Sequence, residues 1–175
     1  MTQSDEMSTN VPKKISKRGY AGRSAEQLMQ ERRQRLMDTA LELFGTVGYV
    51  PTTVEKICSH AKVTTRHFYE HFKDREALLM AIFDTILQET RQKVLAEIVM
   101  SDLPLEQRFV GAVNAFLTSH LDDPRRAKIT TQEILGVSQR VEAHRNVLIT
   151  EFALLIESYL TLLVAEGKLP ARNYR

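Results

Sequence analysis

The chain has 175 residues, 43% of them hydrophobic, a formal net charge of +2 and one cysteine, Cys58. It can bury a sizeable core in one or two modules and cannot form an internal disulfide. No apolar run approaches the ~18–20 residues of a membrane helix, and the start MTQSDEMSTN lacks the basic and apolar segments of a signal peptide. A cytoplasmic protein with no cofactor and no membrane partner is expected.

Charge is unevenly placed. Residues 1–75 carry 13 Lys/Arg against 9 Asp/Glu, and residues 76–175 carry 11 against 13. Such a distribution suits a polyanion-binding head on a near-neutral body. Residues 1–22 show no apolar periodicity and hold Lys13, Lys14, Lys17 and Arg18. They read as a disordered basic tail, either a solvated terminus or an arm that follows phosphates.

A first helix is expected from Ser24, an N-cap with Gln27 three residues on, to about Thr46. Leu36, Ala40, Leu43, Phe44 and Val47 fall on one face of it. Gly48 and Pro51 stop it. Thr53, or Thr52 paired with Glu55, caps a short second helix whose inner face is Val54, Ile57, Cys58 and Ala61. Ala61-Lys62-Val63 forms a turn, and Thr64 caps a third helix. There Phe68 and Phe72 point inward, while Thr65, Arg66, His67, Tyr69 and His71 remain mostly outward. Asp74 caps a fourth helix that carries Leu78, Leu79, Ile82, Phe83, Ile86 and Leu87 and reaches about Val99.

Further helices are expected at about 105–121, from Asp122-Asp123-Pro124 to about Val137, and at about 141–165, with Gly167 and Pro170 ending the last. There are no strand signals, no repeat and no low-complexity tract. The fold class is all-α, with about seven helices.

Two short helices joined by a tight turn and braced by a preceding helix form the helix-turn-helix plan. In it the second helix enters the major groove and its N-terminal side chains reach base edges. Thr65, Arg66 and His67 offer hydrogen-bonding groups of different lengths there. The starts at Thr53 and Thr64 offer N–H groups and hydroxyls to phosphates.

The run ALELFGTVGYVPTTVEKICSHAKVTTRHFYEHFKDREALL resembles the DNA-binding domain of the TetR (tetracycline-repressor) family of bacterial transcription regulators. The likeness covers residues 32–80 with the family's spacing across three helices. It implies an N-terminal helix-turn-helix domain at 23–75 and a helical effector-binding and dimerisation domain at 76–175. It further implies that this body lacks the family's last two helices, which form the dimer interface. Thr65, Arg66 and His67, with Glu55, would contact bases. Thr53 and Tyr69 would bind phosphates, with His71 close to the backbone and Arg75 at a position where the family often has a phosphate-contacting Lys. Thr52, Thr64 and Lys73 complete the phosphate candidates. Lys62 departs from the family's turn Gly and is an added one. Cys58 stands where Ala is usual and reads as core.

The resemblance also implies a small-molecule pocket in the body, a mainly apolar effector and a homodimer on a palindromic operator in double-stranded DNA, most often with repression. Candidate lining residues on inward stripes are Phe83, Leu87, Phe109, Val113, Phe116, His120, Leu135, Phe152, Ile156 and Tyr159. Ordinary core packing is the alternative for each.

Two other classes compete. His67 and His71 have the i, i+4 spacing of a zinc pair but no HExxH carboxylate. The chain has neither a Gly-rich phosphate loop nor a GxSxG elbow, so no catalytic or metal residue is assigned. A helical protein-binding adaptor without DNA specificity is the remaining alternative.

Overall fold

A computed structural model describes residues 24–99 and 102–172, which form seven α-helices and one π-helical turn. The expected tail at 1–22 lies outside them. The helices are α1 (Ala25–Thr46), α2 (Val54–Ala61), α3 (Thr65–His71), α4 (Arg75–Val99), α5 (Leu105–Leu121), α6 (Pro124–Lys128) and α7 (Gln139–Ala165). The π turn spans Ile129–Glu133. It ends the regular helix well short of Val137, where the apolar spacing had placed the boundary.

Each start in the N-terminal half is set by a capping side chain. At α1 the Gln27 N–H donates to Ser24 Oγ at 3.1 Å, and the Ser24 N–H donates to Gln27 Oε1 at 2.7 Å, a full capping box. Thr53, Thr64 and Asp74 accept from the N–H groups of Lys56, His67 and Ala77. Helix α1 stops because Gly48 adopts φ +106° and its N–H turns back to the Leu43 carbonyl. Val47 lies just past the helix and is largely exposed, not part of the inner stripe.

One buried cluster joins Leu36, Ala40 and Phe44 of α1, Ile57 and Cys58 of α2, Phe68 of α3 and Leu78, Ile82 and Phe83 of α4 to Ile129, Ile134 and Val141. The core of the helix-turn-helix segment therefore continues into the first half of α4, the π turn and the start of α7. A second, smaller cluster of Val94, Ile98 and Ala112 lies farther along α4 and α5.

Helix α5 packs along α4 through its small residues. Ala112 and Ser119 are buried, and Gly111 lies so close to Glu97 that an added Cβ would meet that carboxylate at 2.5 Å. The large apolar residues of α5 face outward: Val110, Val113, Leu117 and Leu121 are exposed. Helix α7 carries a window apolar and long enough to cross a membrane by length and composition, with 6% of it buried inside the molecule. No such segment had been expected from the sequence. Its interruption by Glu151 and Glu157, and its contact with α4 through Leu148, Phe152 and Ile156, fit a helix with one face packed and one uncovered.

Candidate nucleic-acid interface

Helices α2 and α3 meet at Lys62, which takes the left-handed conformation at φ 53° and ψ 43°. The Val63 N–H donates to the Cys58 carbonyl at 3.0 Å and closes the turn. A non-Gly residue there costs roughly 1 kcal/mol, and the backbone path of the turn is kept despite it. Cys58 is buried, and burial pushes its thiol above the usual range. It is core, as expected.

Helix α3 is anchored by Phe68, fully buried, whose ring lies 5.8 Å from that of Phe72. The outer side of its first turn presents Thr65 and Arg66, both exposed. Arg66 has an 88% exposed side chain and meets Glu70 at 3.6 Å, a contact too exposed to hold it in place. His67 is half-buried, with Nδ1 2.9 Å from Thr64 Oγ1, so the cap hydroxyl orients the imidazole. Tyr69 is exposed, and its ring meets Phe68 edge-on at 5.2 Å, leaving the phenol outermost. Thr53, Glu55, Lys62, Thr64 and Lys73 are also exposed around this face. The Glu55 carboxyl is held below its ordinary range by its own N–H and then by the Thr53 hydroxyl.

Three candidates are placed otherwise. Thr52 is fully buried, and its hydroxyl donates to the Gly48 carbonyl at 2.7 Å, so it offers nothing to a phosphate. Arg75 turns inward: its Nη1 donates to the carbonyls of Tyr49, Val50 and Thr52 at 3.2, 3.3 and 2.5 Å. Its position at the start of α4 puts the guanidinium under the α1–α2 turn, where three carbonyls need donors. His71 is half-buried beside Phe72, with Nε2 enclosed and lacking a protein partner. Burial, then the Arg33 charge, lowers its pKa, so the imidazole is a poor cation for a phosphate. Arg33 itself lies 5.2 Å over the Phe72 ring. Among the described residues, no group of three or more His, Cys, Asp or Glu could hold a metal ion.

The residues expected to line one pocket are dispersed. Phe83 belongs to the main core. Leu87 and Phe152 line a groove of about 300 Å³ between α4 and α7, together with Asp84, Gln88, Arg91, Leu148 and Glu151. Phe109 and Tyr159 meet Ile98, Leu105 and Arg108 in a filled contact, where the Arg108 guanidinium donates to Tyr159 Oη at 2.6 Å. Ile156 packs on the second cluster. His120 stacks on Phe116 at 5.0 Å and borders an open depression beside α6. Val113, Phe116 and Leu135 are exposed rather than inward. For Val113 and Phe116 the physical reason is the α5 face: Gly111, Ala112 and Ser119 bring it close to α4 and turn these larger side chains out. Sequence reasoning favoured large apolar residues and passed over Arg91, Gln88 and Leu148; the i, i+3, i+4, i+7 pattern of Asp84, Leu87, Gln88 and Arg91 was the available signal.

Residues 36–82, which include the whole of α2 and α3, match the family described as bacterial regulatory proteins, tetR family. This segment is similar to the DNA-binding head of the TetR family. The chain is 33% identical over 89 residues to the HTH-type transcriptional regulator HbdR of Aromatoleum sp. strain CIB, covering 51% of this chain and 38% of that protein. It is 25% identical over 148 residues to the HTH-type transcriptional regulator YerO of Bacillus subtilis, covering 75% of this chain and 50% of that one. The chain thus spans half or less of the length of these two curated relatives. The fold extends the likeness beyond the TetR head. FadR of Bacillus subtilis, solved in complex with stearoyl-CoA, superposes with a TM-score of 0.71 at 18% identity, over 80% of this chain and 75% of that one.

Proposed function

We propose that the chain is a sequence-specific DNA-binding transcriptional regulator, a repressor released from a palindromic operator by a small, mainly apolar ligand. The observation that carries this reading is the outer face of α3. Thr65 and Arg66 are exposed, and His67 is oriented by the Thr64 cap, on a helix anchored by Phe68 within the family-matched segment. Those three side chains are assigned to base edges, with Glu55 beside them. Thr53, Lys62, Thr64, Tyr69 and Lys73 are assigned to the phosphate backbone.

The α4–α7 groove is the ligand site this reading favours. Leu87, Leu148 and Phe152 give it apolar lining, and Asp84, Gln88, Arg91 and Glu151 add polar and charged groups. FadR of Bacillus subtilis, a protein of similar fold, is solved in complex with stearoyl-CoA, which supports an acyl-bearing ligand as a class to try. We assign the working form as a homodimer, because helix-turn-helix heads read paired half-sites. The exposed apolar residues of α5 and α7 supply surface for such contact. Its place of work is the cytoplasm, where the DNA is.

Selection of bound sequences from random duplex DNA tests the reading. An enriched inverted repeat with half-sites about one helical turn apart is expected. Recovery of no common sequence would leave a protein-binding helical adaptor as the better description.

A further inference from the structure

The turn between α1 and α2 is gripped from two sides. On one, the Tyr49 N–H donates to Glu133 Oε2 at 2.7 Å. On the other, Arg75 donates to the carbonyls of Tyr49, Val50 and Thr52 and lies over the Tyr49 ring. The Thr52 carbonyl immediately precedes Thr53, the cap that starts α2.

Glu133 reaches this turn through the π turn. The Ile134 N–H donates to the Ile129 carbonyl at 3.2 Å, and both isoleucines are fully buried. In an α-helix, residues five apart point about 140° away from each other. The π turn instead sets both into one core and leaves Glu133 facing the head. Single π turns recur at functional positions. Gly48 makes room for the carboxylate: a Cβ there would lie 3.3 Å from Glu133 Oε2, on a backbone at φ +106° that side chains rarely adopt. Lys128 stands by the same group, with Nζ 3.4 Å from Glu133 Oε1 and donating to the Thr46 carbonyl at 3.1 Å.

We propose that Glu133 is a positioning residue for the DNA-reading helices, fixing the Tyr49 amide and so the point from which α2, and through it α3, is launched. The inference rests on the DNA-binding reading above. Because the π turn belongs to the body, this carboxylate is a route, separate from α4, by which a change in the body reaches the recognition helix.

Reach and charge separate in two variants. Glu133→Asp keeps the charge and shortens the side chain by one methylene; Glu133→Gln keeps the length and a neutral acceptor. The full chain and both variants are measured on a duplex recovered by selection from random DNA and on an unrelated duplex of equal length. Glu133→Asp is expected to lose about tenfold in affinity for the selected duplex, the cost of one hydrogen bond, with little change on the unrelated one. Glu133→Gln is expected to stay close to wild type on both. Amide exchange at Tyr49 is expected to speed up in Glu133→Asp alone. Wild-type discrimination in Glu133→Asp, or an equal loss on both duplexes, overturns the proposal. If the wild-type chain enriches no sequence, the DNA-binding reading fails and this inference falls with it.

Discussion

The Arg75 guanidinium lies 4.1 Å above the Tyr49 ring while donating to the carbonyl of the same residue. One side chain thereby satisfies backbone acceptors and covers an aromatic face, and it does so from the first turn of α4. Arg75→Ala is expected to destabilise the chain by about 2–3 kcal/mol, from charge-assisted hydrogen bonds and the cation–π contact. Arg75→Lys should recover only part, because an ammonium can donate to the carbonyls but cannot lie flat over the Tyr49 ring. Urea unfolding of the three proteins checks both. A variant with unchanged stability but weaker DNA binding would return Arg75 to the phosphate role that its sequence position suggested.

Arg66 and Tyr69 separate two kinds of contact. Arg66 is exposed and pairs with Glu70 only at 3.6 Å, so Arg66→Ala should leave thermal unfolding nearly unchanged. It should alter the preferred base at one operator position by about 1–3 kcal/mol. Tyr69→Phe should weaken binding to all sequences alike, as loss of a phosphate contact does. Competition binding against single-base operator variants distinguishes the two patterns.

Lys62 occupies a backbone conformation suited to glycine. Lys62→Gly is expected to raise stability by up to about 1 kcal/mol, read as a higher melting temperature. It should also lower the salt dependence of DNA binding, because one cation near the backbone is removed. A stability gain with an unchanged salt slope would show that Lys62 makes no phosphate contact.

Asp74 caps α4 and also takes Arg140 of α7 at 2.7 Å. The Arg140 hydrogen bond, supported by the Ala77 N–H, holds its carboxyl below the ordinary range. A carboxylate with a lowered folded-state pKa stabilises fully above its unfolded value, near 4. That contribution is lost as pH falls through the folded value. Stability should therefore drop below about pH 4 more steeply in the wild type than in Asp74→Asn. Parallel melting curves for the two proteins across this window would remove the effect.

How far the sequence could be read depended on what each residue had to satisfy. The caps at Ser24, Thr53, Thr64 and Asp74 are local, because each binds the N–H three residues on; all four appear as expected. The anchors Phe68 and Phe72 follow from periodicity for the same reason. Arg75 does not: its acceptors lie 23 to 26 residues away, and nothing in a basic residue at a helix start tells a phosphate from a carbonyl. Thr52 and Thr53 look alike in sequence, yet one hydroxyl turns into the turn and the other caps α2. The body was harder still. Its α5 packs by small residues, so its large apolar stripe lies on the outer face, and the groove at Leu87 and Phe152 exists only with α7 in place.

The shared core has a practical corollary. Phe44, Phe68 and Leu78 lie in the same buried cluster as Ile129, Ile134 and Val141, on both sides of the boundary near residue 75 where sequence divides the chain. Grafting the DNA-reading helices onto another protein at that boundary would strip them of their floor. A chimera that is to keep its operator preference needs the first half of α4 and the π turn to travel with the head.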